Sequence, residues 1–134
     1  ASTEFYGQEH KPIQDDDDSE LFLKHAVEFF NENIGNSNLV VEDFARNQGM
    51  SRTAYYNKMK AITGLSPIDF IKQMRIKNAL KLLDEGKLSI AAIAYSVGFS
   101  DQKYFSKCFR AEMDMSPTQY LKNKKTEQGT RVKD

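Results

Sequence analysis

The sequence predicts an all-α fold of about seven helices. Apolar residues recur at three- and four-residue spacing along most of the chain, which is the period of an amphipathic helix. The segments with this period begin at Ser or Ser-Pro and end at single glycines, which are typical helix start and stop signals. No segment combines alternating apolar residues with turn chemistry, so we predict no strand.

Composition and residue counts exclude several classes of protein. The 134 residues are 40% apolar and 28% charged, as in a globular protein, and suit one domain or two very small ones sharing a core. No apolar run approaches the roughly 18 residues of a membrane span. Cys108 is the only cysteine, and with His10 and His25 it forms no cluster at metal-ligand spacing. Since catalytic motifs and Gly-rich phosphate loops are also missing, we predict no cofactor, no metal and no enzyme activity.

The formal net charge of zero hides an asymmetry. Residues 1–20 contain seven acids and one base, a net charge of −6, while the remaining residues contain 18 bases and 12 acids, a net charge of +6. A basic domain with an acidic leader favours a polyanionic partner. Charge alone is equally compatible with an ordinary solvated surface.

The chain opens with the acidic leader and a first helix. Residues 1–19 lack periodicity and carry a block of like charges, so we predict a flexible linker. Residues 20–34 carry a helical apolar stripe, with Asp18 or Ser19 as the expected N-cap.

The next two predicted helices form a pair joined by a glycine turn. The first spans residues 41–48 and stops at Gly49, where we expect a left-handed backbone. Ser51 caps the second, Arg52–Thr63, which ends at Gly64. The inward stripe of the second helix consists of Tyr55, Met59 and Ile62.

A long helix follows this pair. Ser66 is the predicted N-cap, Pro67 occupies the first helical position, where its missing N–H costs nothing, and Asp69 can close a capping box. The helix Pro67–Glu85 ends before Gly86 and spans about 27 Å at 1.5 Å per residue.

A second pair repeats the pattern. Residues 90–97 form a short helix that ends at Gly98, and Ser100 is the predicted cap of a helix over residues 101–112. The inward residues of this last helix are Phe105, Phe109 and Met113, flanked by Tyr104 and Cys108, which we interpret as packing residues.

Ser116 and Pro117 start a final helix. After residue 125 the chain has nothing to bury, so we expect residues 126–134 to fray. The predicted organisation is therefore a linker over residues 1–19, a folded domain over residues 20–125 and a tail.

The two pairs are copies of one unit. LVVEDFARNQGMS (residues 39–51) matches LSIAAIAYSVGFS (residues 88–100), and YYNKMK (55–60) then corresponds to FSKCFR (105–110) after one extra residue. A short helix joined through a Gly-containing turn to a longer one is the helix-turn-helix arrangement. An ordinary helical hairpin explains a single copy better, whereas two copies in a basic domain favour DNA binding.

These residues resemble the AraC/XylS-type transcriptional regulators. IAAIAYSVGFSDQKYFSKCFRAEMDMSPTQYLK (residues 90–122) is similar to the C-terminal signature of that family, and MSRTAYYNKMKAITGLSP (residues 50–67) to its first helix-turn-helix. Asp114 stands where the family usually has Gly; a left-handed residue is expected there, and Asp tolerates that conformation better than most.

The resemblance implies two helix-turn-helix subdomains joined by the long helix and a sequence-specific double-stranded DNA-binding function, with recognition helices in successive major grooves. The roughly 27 Å helix agrees with the roughly 34 Å between successive major-groove faces. The alternative is a helical interaction module that docks a signalling partner or RNA polymerase without reading bases.

The outward faces of the two recognition helices supply the expected DNA contacts. Carried over from the family, the base-reading residues are Thr53, Tyr56, Asn57, Gln102, Lys103, Ser106 and Lys107. Asn and Gln suit adenine, and Lys suits guanine. The expected phosphate contacts are Arg52, Lys58, Lys60 and Arg110, and the N-terminal N–H groups after Ser51, Ser66, Ser100 and Ser116 could add to them, although capping alone explains the serines.

The resemblance also implies missing partners. The leader with SELFLKHAVEFFNENI (residues 19–34) is similar to the effector part of hybrid two-component regulators, which places receiver and kinase or other sensor domains upstream in a longer chain. We expect dimerisation through those domains, RNA polymerase as a further partner, and a cytoplasmic location, at the cytoplasmic end of a membrane-anchored protein if the chain is part of a hybrid sensor.

Overall fold

Seven helices and no strand make up the part of the chain that the structure describes. The computed structural model describes the backbone of residues 16–133 and the side chains of residues 17–126. In chain order the helices are α1 (Asp16–Glu32), α2 (Val41–Asn47), α3 (Arg52–Thr63), α4 (Pro67–Glu85), α5 (Ile90–Ser96), α6 (Gln102–Met113) and α7 (Pro117–Lys133). The all-α prediction is confirmed. Within this span no helix has the length and apolar character needed to cross a membrane.

The helices fall into two units, each with one copy of the repeat. Unit 1 comprises the described residues up to Asn33 together with Asn38–Ile71, and so contains the pair α2 and α3. Unit 2 comprises Ile34–Ser37 and the described residues from Lys72 onward, and so contains α5 and α6. Helix α4 begins in unit 1 and continues in unit 2, as expected of a connecting helix.

The core of unit 1 is aromatic. The Phe22 and Tyr55 ring centroids lie 5.1 Å apart, and Phe29 and Phe44 meet edge to face at 4.9 Å. Of the three predicted inward residues of α3, Tyr55 and Met59 are fully buried and Ile62 is half-buried. Burial raises the pKa of Tyr55 well above its ordinary value, and its hydroxyl has no hydrogen-bond partner among the described residues. Helix α3 is thus fixed by one face, and its other face is left outward.

The core of unit 2 has the same arrangement around phenylalanines. Phe105 and Phe109 of α6 are fully buried, and Phe99 packs against Phe105 with centroids 5.2 Å apart. Cys108 packs against this cluster, as predicted. Tyr104 is more exposed than predicted, at 43%, although its ring meets that of Phe99 edge to face.

The turns of the two copies use left-handed residues where the sequence predicts them. Gly49 and Gly98 have φ values of +68° and +98°, between the two helices of each pair. After α6, Asp114 has φ 60°, so it adopts the left-handed conformation that the family pattern requires without the usual glycine.

Two helix starts differ from prediction. Helix α1 begins at Asp16, four residues before the predicted start, so neither Asp18 nor Ser19 is its N-cap. Acids in a first helical turn complement its exposed N–H groups, which favours this earlier start. The N-cap of α6 is Asp101 rather than Ser100, because the Asp101 carboxylate accepts the Tyr104 N–H at 2.7 Å. The extra residue in the second copy moves the cap by one position.

The final helix is longer than predicted, since its backbone remains helical to Lys133. The side chains after Thr126 lie outside the described residues, so the fraying of residues 126–134 stays a prediction. Most of the predicted linker, residues 1–15, also lies outside the described part of the chain.

Candidate nucleic-acid interface

Helix α3 presents its predicted contact residues outward. The Ser51 hydroxyl caps the helix by accepting the Ala54 N–H at 3.1 Å, and burial of Tyr55 and Met59 fixes its rotation. Because residues three and four apart share a helix face, the predicted base readers and Lys60 form one outward stripe over successive turns. Its members, all exposed, are Thr53, Tyr56, Asn57 and Lys60.

Helix α6 presents a matching stripe in unit 2. Burial of Phe105 and Phe109 turns the opposite face outward. Gln102, Lys103, Lys107 and Arg110 are exposed there, while Ser106 is half-buried.

None of the seven predicted base readers has a hydrogen bond or ion pair from its side chain to another side chain or backbone group in residues 17–126. Polar groups of folded proteins are otherwise usually satisfied within the molecule or by water. Two helix faces therefore carry amide, hydroxyl and ammonium groups that are available to a ligand.

The predicted phosphate contacts are not equally available. Lys58 points toward α1: its ammonium lies 2.7 Å from the Asp18 carboxylate and 5.3 Å from the centre of the Phe22 ring. Arg52 pairs with Glu42 at 3.4 Å, a contact between two exposed side chains. Lys60 and Arg110 are exposed and form no ion pair in the described part of the chain. Lys60 and Arg110 are thus the better candidates for phosphate.

Each recognition helix is basic. Helix α3 contains Arg52, Lys58 and Lys60 and no acid. Helix α6 contains Lys103, Lys107 and Arg110, none of them in an ion pair within residues 17–126, and a single acid, Glu112, in its last turn. Since unpaired cations contribute most to polyanion binding, the α6 face is the stronger electrostatic site.

The helix N-termini also differ in what they offer a phosphate. Ser51, Ser66 and Ser116 each cap a helix through the side-chain hydroxyl, at 3.1 to 3.2 Å. At α6 the cap is the Asp101 carboxylate, whose negative charge opposes a phosphate. The expectation for Ser100 is therefore not supported, because the serine is outside the helix and an acid occupies its place.

Asp43 anchors the start of α2 in unit 1. The pKa of Asp43 lies below its ordinary value, first because the Val40 N–H donates to its carboxylate at 3.0 Å and second because Arg46 donates to it at 3.0 Å. The carboxylate satisfies the backbone N–H of Val40, the N-cap residue, as the acidic residue of a capping box does.

Arg75 supports the second helix-turn-helix from inside unit 2, and the sequence pattern does not predict this role. Its side chain is buried in unit 2, where it donates to the Val97 carbonyl oxygen at 3.1 Å, directly beside the turn of the second helix-turn-helix. Burial lowers the pKa of Arg75 from its ordinary value. The signal in the sequence is that Arg75 follows Ile71 by four residues and so lies on the inward stripe of the long helix.

Comparison with known proteins identifies this architecture. A family model described as a helix-turn-helix domain matches residues 44–123, more than half of the chain. The chain belongs to the AraC/XylS-type helix-turn-helix family. The AraC-type domain thus covers both α2–α3 and α5–α6, and its function is sequence-specific DNA binding in transcription regulation.

The relatives of this AraC-type domain are longer proteins that match it over part of their length. It is 41% identical over 109 residues to Histidine kinase P4 of Formosa agariphila, covering 81% of this chain and 8% of the kinase. It is 42% identical to the Msm operon regulatory protein of Streptococcus mutans, covering 64% of this chain and 31% of that protein. The chain therefore spans less than a third of either relative.

A solved structure has the same fold. The C-terminal domain of AraT, a response regulator from Geobacillus stearothermophilus, superposes with a TM-score of 0.71 at 29% identity. The superposition covers 76% of this chain and 84% of that domain.

Proposed function

We propose that this AraC-type domain reads its DNA site with α3 and α6, one recognition helix from each unit. The observation that carries the proposal is that the seven predicted base readers lie on the two outward stripes and have no partner within residues 17–126, while the opposite faces of both helices are buried. Helix α4, with 19 residues, rises about 27 Å from its first residue to its last, which suits readers in successive major grooves, roughly 34 Å apart.

The proposed base readers have the chemistry that base edges require. Asn57 and Gln102 can pair with the N6 and N7 of adenine, and Lys103 and Lys107 with the O6 and N7 of guanine. The proposed readers of unit 1, which are Thr53, Tyr56 and Asn57, are all uncharged. Those of unit 2 include two charged residues, Lys103 and Lys107, beside the uncharged Gln102 and Ser106. We therefore expect the two halves of the DNA site to differ in sequence.

Phosphate contacts position the two stripes without specifying sequence. We propose Lys60 and Arg110 as the main contacts and Arg52 as a further one that gives up its exposed pairing with Glu42. Lys58 is a weaker contact, because it must leave Asp18 to reach a phosphate.

The surrounding protein is also part of the proposal. We infer that this chain is the output domain of a longer regulator, with a receiver, kinase or other sensor domain upstream. The inference is based on Histidine kinase P4, whose match covers 81% of this chain. Since the same match covers 8% of the kinase, the kinase is about twelve times as long as the matched segment. Dimerisation then resides in the upstream domains, RNA polymerase is the partner of the DNA-bound form, and the domain works in the cytoplasm. We assign it no catalytic step.

The proposal is tested by selecting duplexes from a random pool with the 134-residue chain and titrating the selected duplex at several salt concentrations by fluorescence anisotropy. We expect enrichment of a bipartite sequence and a log-linear fall of affinity with salt. Binding without enrichment would contradict base reading, and no DNA binding at any salt would favour the interaction module.

A further inference from the structure

We propose that Arg75 is a positioning residue for the second recognition helix, α6, and that it acts by fixing the turn between α5 and α6. This inference rests on the proposed function of α6. Arg75 touches no base in the proposal; it determines how firmly the residues that do are held.

The guanidinium is bound directly at the turn. Arg75 is 6% exposed, and its Nη1 donates to the carbonyl oxygen of Val97, the residue that ends α5. Its Nη2 lies 3.5 Å from the carbonyl oxygen of Asn36, in the segment before Asn38 that belongs to unit 2. The Arg75 side chain of α4 thereby links the end of α5 at Val97 to a second backbone segment at Asn36.

An aromatic contact carries this restraint to the recognition helix. The Arg75 guanidinium carbon lies 5.9 Å from the centre of the Phe99 ring. The Phe99 ring packs on Phe105 at 5.2 Å and on Tyr104 at 5.7 Å, both of which belong to α6. Burial of Phe105 fixes the rotation of α6 and thereby the direction of the face that bears Ser106, so a shift of Phe99 would alter the orientation of that face.

Gly98 shows how closely the turn is fitted to Arg75. A Cβ at Gly98 would overlap Arg75 Nη1 and lie 2.6 Å from the Ile34 carbonyl oxygen. At Gly49, the equivalent position in unit 1, a Cβ would meet no atom of the described residues within 4 Å. Both glycines are left-handed, so backbone conformation alone does not explain the difference. The close approach of a guanidinium is a property of the second copy only.

The electrostatics explain why arginine suits this place. No carboxylate lies within 4 Å of the Arg75 guanidinium among the described residues, so its charge is balanced by the Val97 carbonyl oxygen at the C-terminal end of α5 and by the Asn36 carbonyl oxygen. A buried cation without these acceptors is costly, which favours one arrangement of the turn. Lysine keeps the charge but lacks the planar fork that reaches two carbonyls.

The test uses the full 134-residue chain with Arg75→Lys, Arg75→Met and Phe99→Leu, and with Lys81→Met as a control that removes an exposed cation from the same helix. Each protein is titrated with the duplex that the wild type selects, with every base pair substituted in turn, at a temperature where circular dichroism shows it folded. Positions read by α3 and α6 are identified as those at which Asn57→Ala and Lys107→Ala, respectively, lose discrimination.

We expect Arg75→Lys and Phe99→Leu to lower discrimination about tenfold at the α6 positions and to leave the α3 positions unchanged. Lys81→Met should change neither set. A uniform loss at all positions, or full discrimination in both variants, would overturn the proposal. If Arg75→Met does not fold, the other two variants decide the question.

Amide hydrogen exchange of the free proteins separates this inference from the proposed function. We expect Arg75→Lys to speed exchange in α6 and not in α3. If the wild type selects no duplex, the proposed function fails, and exchange alone shows whether Arg75 holds α6. Equal acceleration in α3 and α6 would mean that Arg75 only stabilises the fold as a whole.

Discussion

At the scale of single residues, equivalent positions of the two copies have different partners. Lys58 aligns with Cys108, and both side chains turn toward their own unit: Cys108 packs on the core and Lys58 lies against Asp18 and Phe22 of α1. Lys60 aligns with Arg110, and both are exposed cations without an ion pair in residues 17–126. The position within the repeat thus distinguishes Lys58, which contacts its own unit, from Lys60 and Arg110, which are exposed and available to a phosphate.

Lys60→Ala is expected to weaken binding to all duplexes alike and to lower the slope of log affinity against log salt by about 1. Lys58→Ala is the matched control, and its slope should change less because its ammonium already pairs with Asp18. Anisotropy titrations on selected and random duplexes measure both quantities. A loss confined to the selected duplex would instead make Lys60 a base reader.

At the scale of elements, the turns between helices set both stability and the direction of each recognition helix. Gly64 and Gly98 are both left-handed, with φ values of +80° and +98°. A Cβ at Gly64 would have open space among the described residues, whereas one at Gly98 would overlap the Arg75 side chain and crowd the Ile34 carbonyl oxygen. Alanine substitutions at the two glycines therefore separate the free-energy cost of a left-handed backbone from the cost of steric overlap.

Gly64→Ala is expected to lower the free energy of unfolding by about 1 to 2 kcal/mol, the cost of a left-handed L-residue. Gly98→Ala should cost more, because the added Cβ would overlap Arg75 Nη1, which donates to the Val97 carbonyl, and would lie 2.6 Å from the Ile34 carbonyl oxygen. Urea unfolding followed by circular dichroism compares the two variants. Equal losses would show that the turn relieves the overlap with both Arg75 and the Ile34 carbonyl at no cost, and would weaken the case for Arg75 as a positioning residue.

Sequence patterns predict these elements well where the information is local. The glycine turns, the serine caps of α3 and α4 and the stripe from Tyr55 to Met59 follow from residue type and spacing. Asp101 was missed as a cap because Ser100 aligns with Ser51 and hides the inserted residue. Arg75 was missed because its partners are backbone carbonyls distant in sequence, Val97 and Asn36, which leave no trace in local pattern.

The same limit applies to the candidate interface. The outward position of Asn57 and Lys107 follows from helical period once the inward residues are recognised. The ion pair between Lys58 and Asp18 cannot be predicted from helical period, since 40 residues separate the two and the contact depends on how α1 packs on α3.

At the scale of the whole molecule, charge is divided along the chain. The first 20 residues carry a net charge of −6 and the rest a net charge of +6. The structure brings one acid of this segment, Asp18, onto the recognition helix of unit 1 through Lys58. An acid at that place competes with phosphate for the same ammonium, so we expect Asp18 to weaken DNA binding by unit 1.

Asp18→Asn is expected to raise DNA affinity up to about fivefold at low salt, since an exposed pair is worth about 0.2 to 1 kcal/mol. The gain should shrink as salt screens the charges. Glu20→Gln, which removes an exposed acid from the same helix, is the control and should have the smaller effect. Equal gains in the two variants, measured by anisotropy across salt concentrations, would attribute the effect to net charge alone.

We propose above all that α3 and α6 each read their own bases. The most direct measurement is a base-by-base substitution profile of the selected duplex with wild type, Asn57→Ala and Lys107→Ala. We predict that each variant loses about 1 to 3 kcal/mol on the selected duplex and relaxes discrimination at its own positions, with no position shared between the two. Uniform losses on selected and random duplexes, or one common set of positions for both variants, would contradict it.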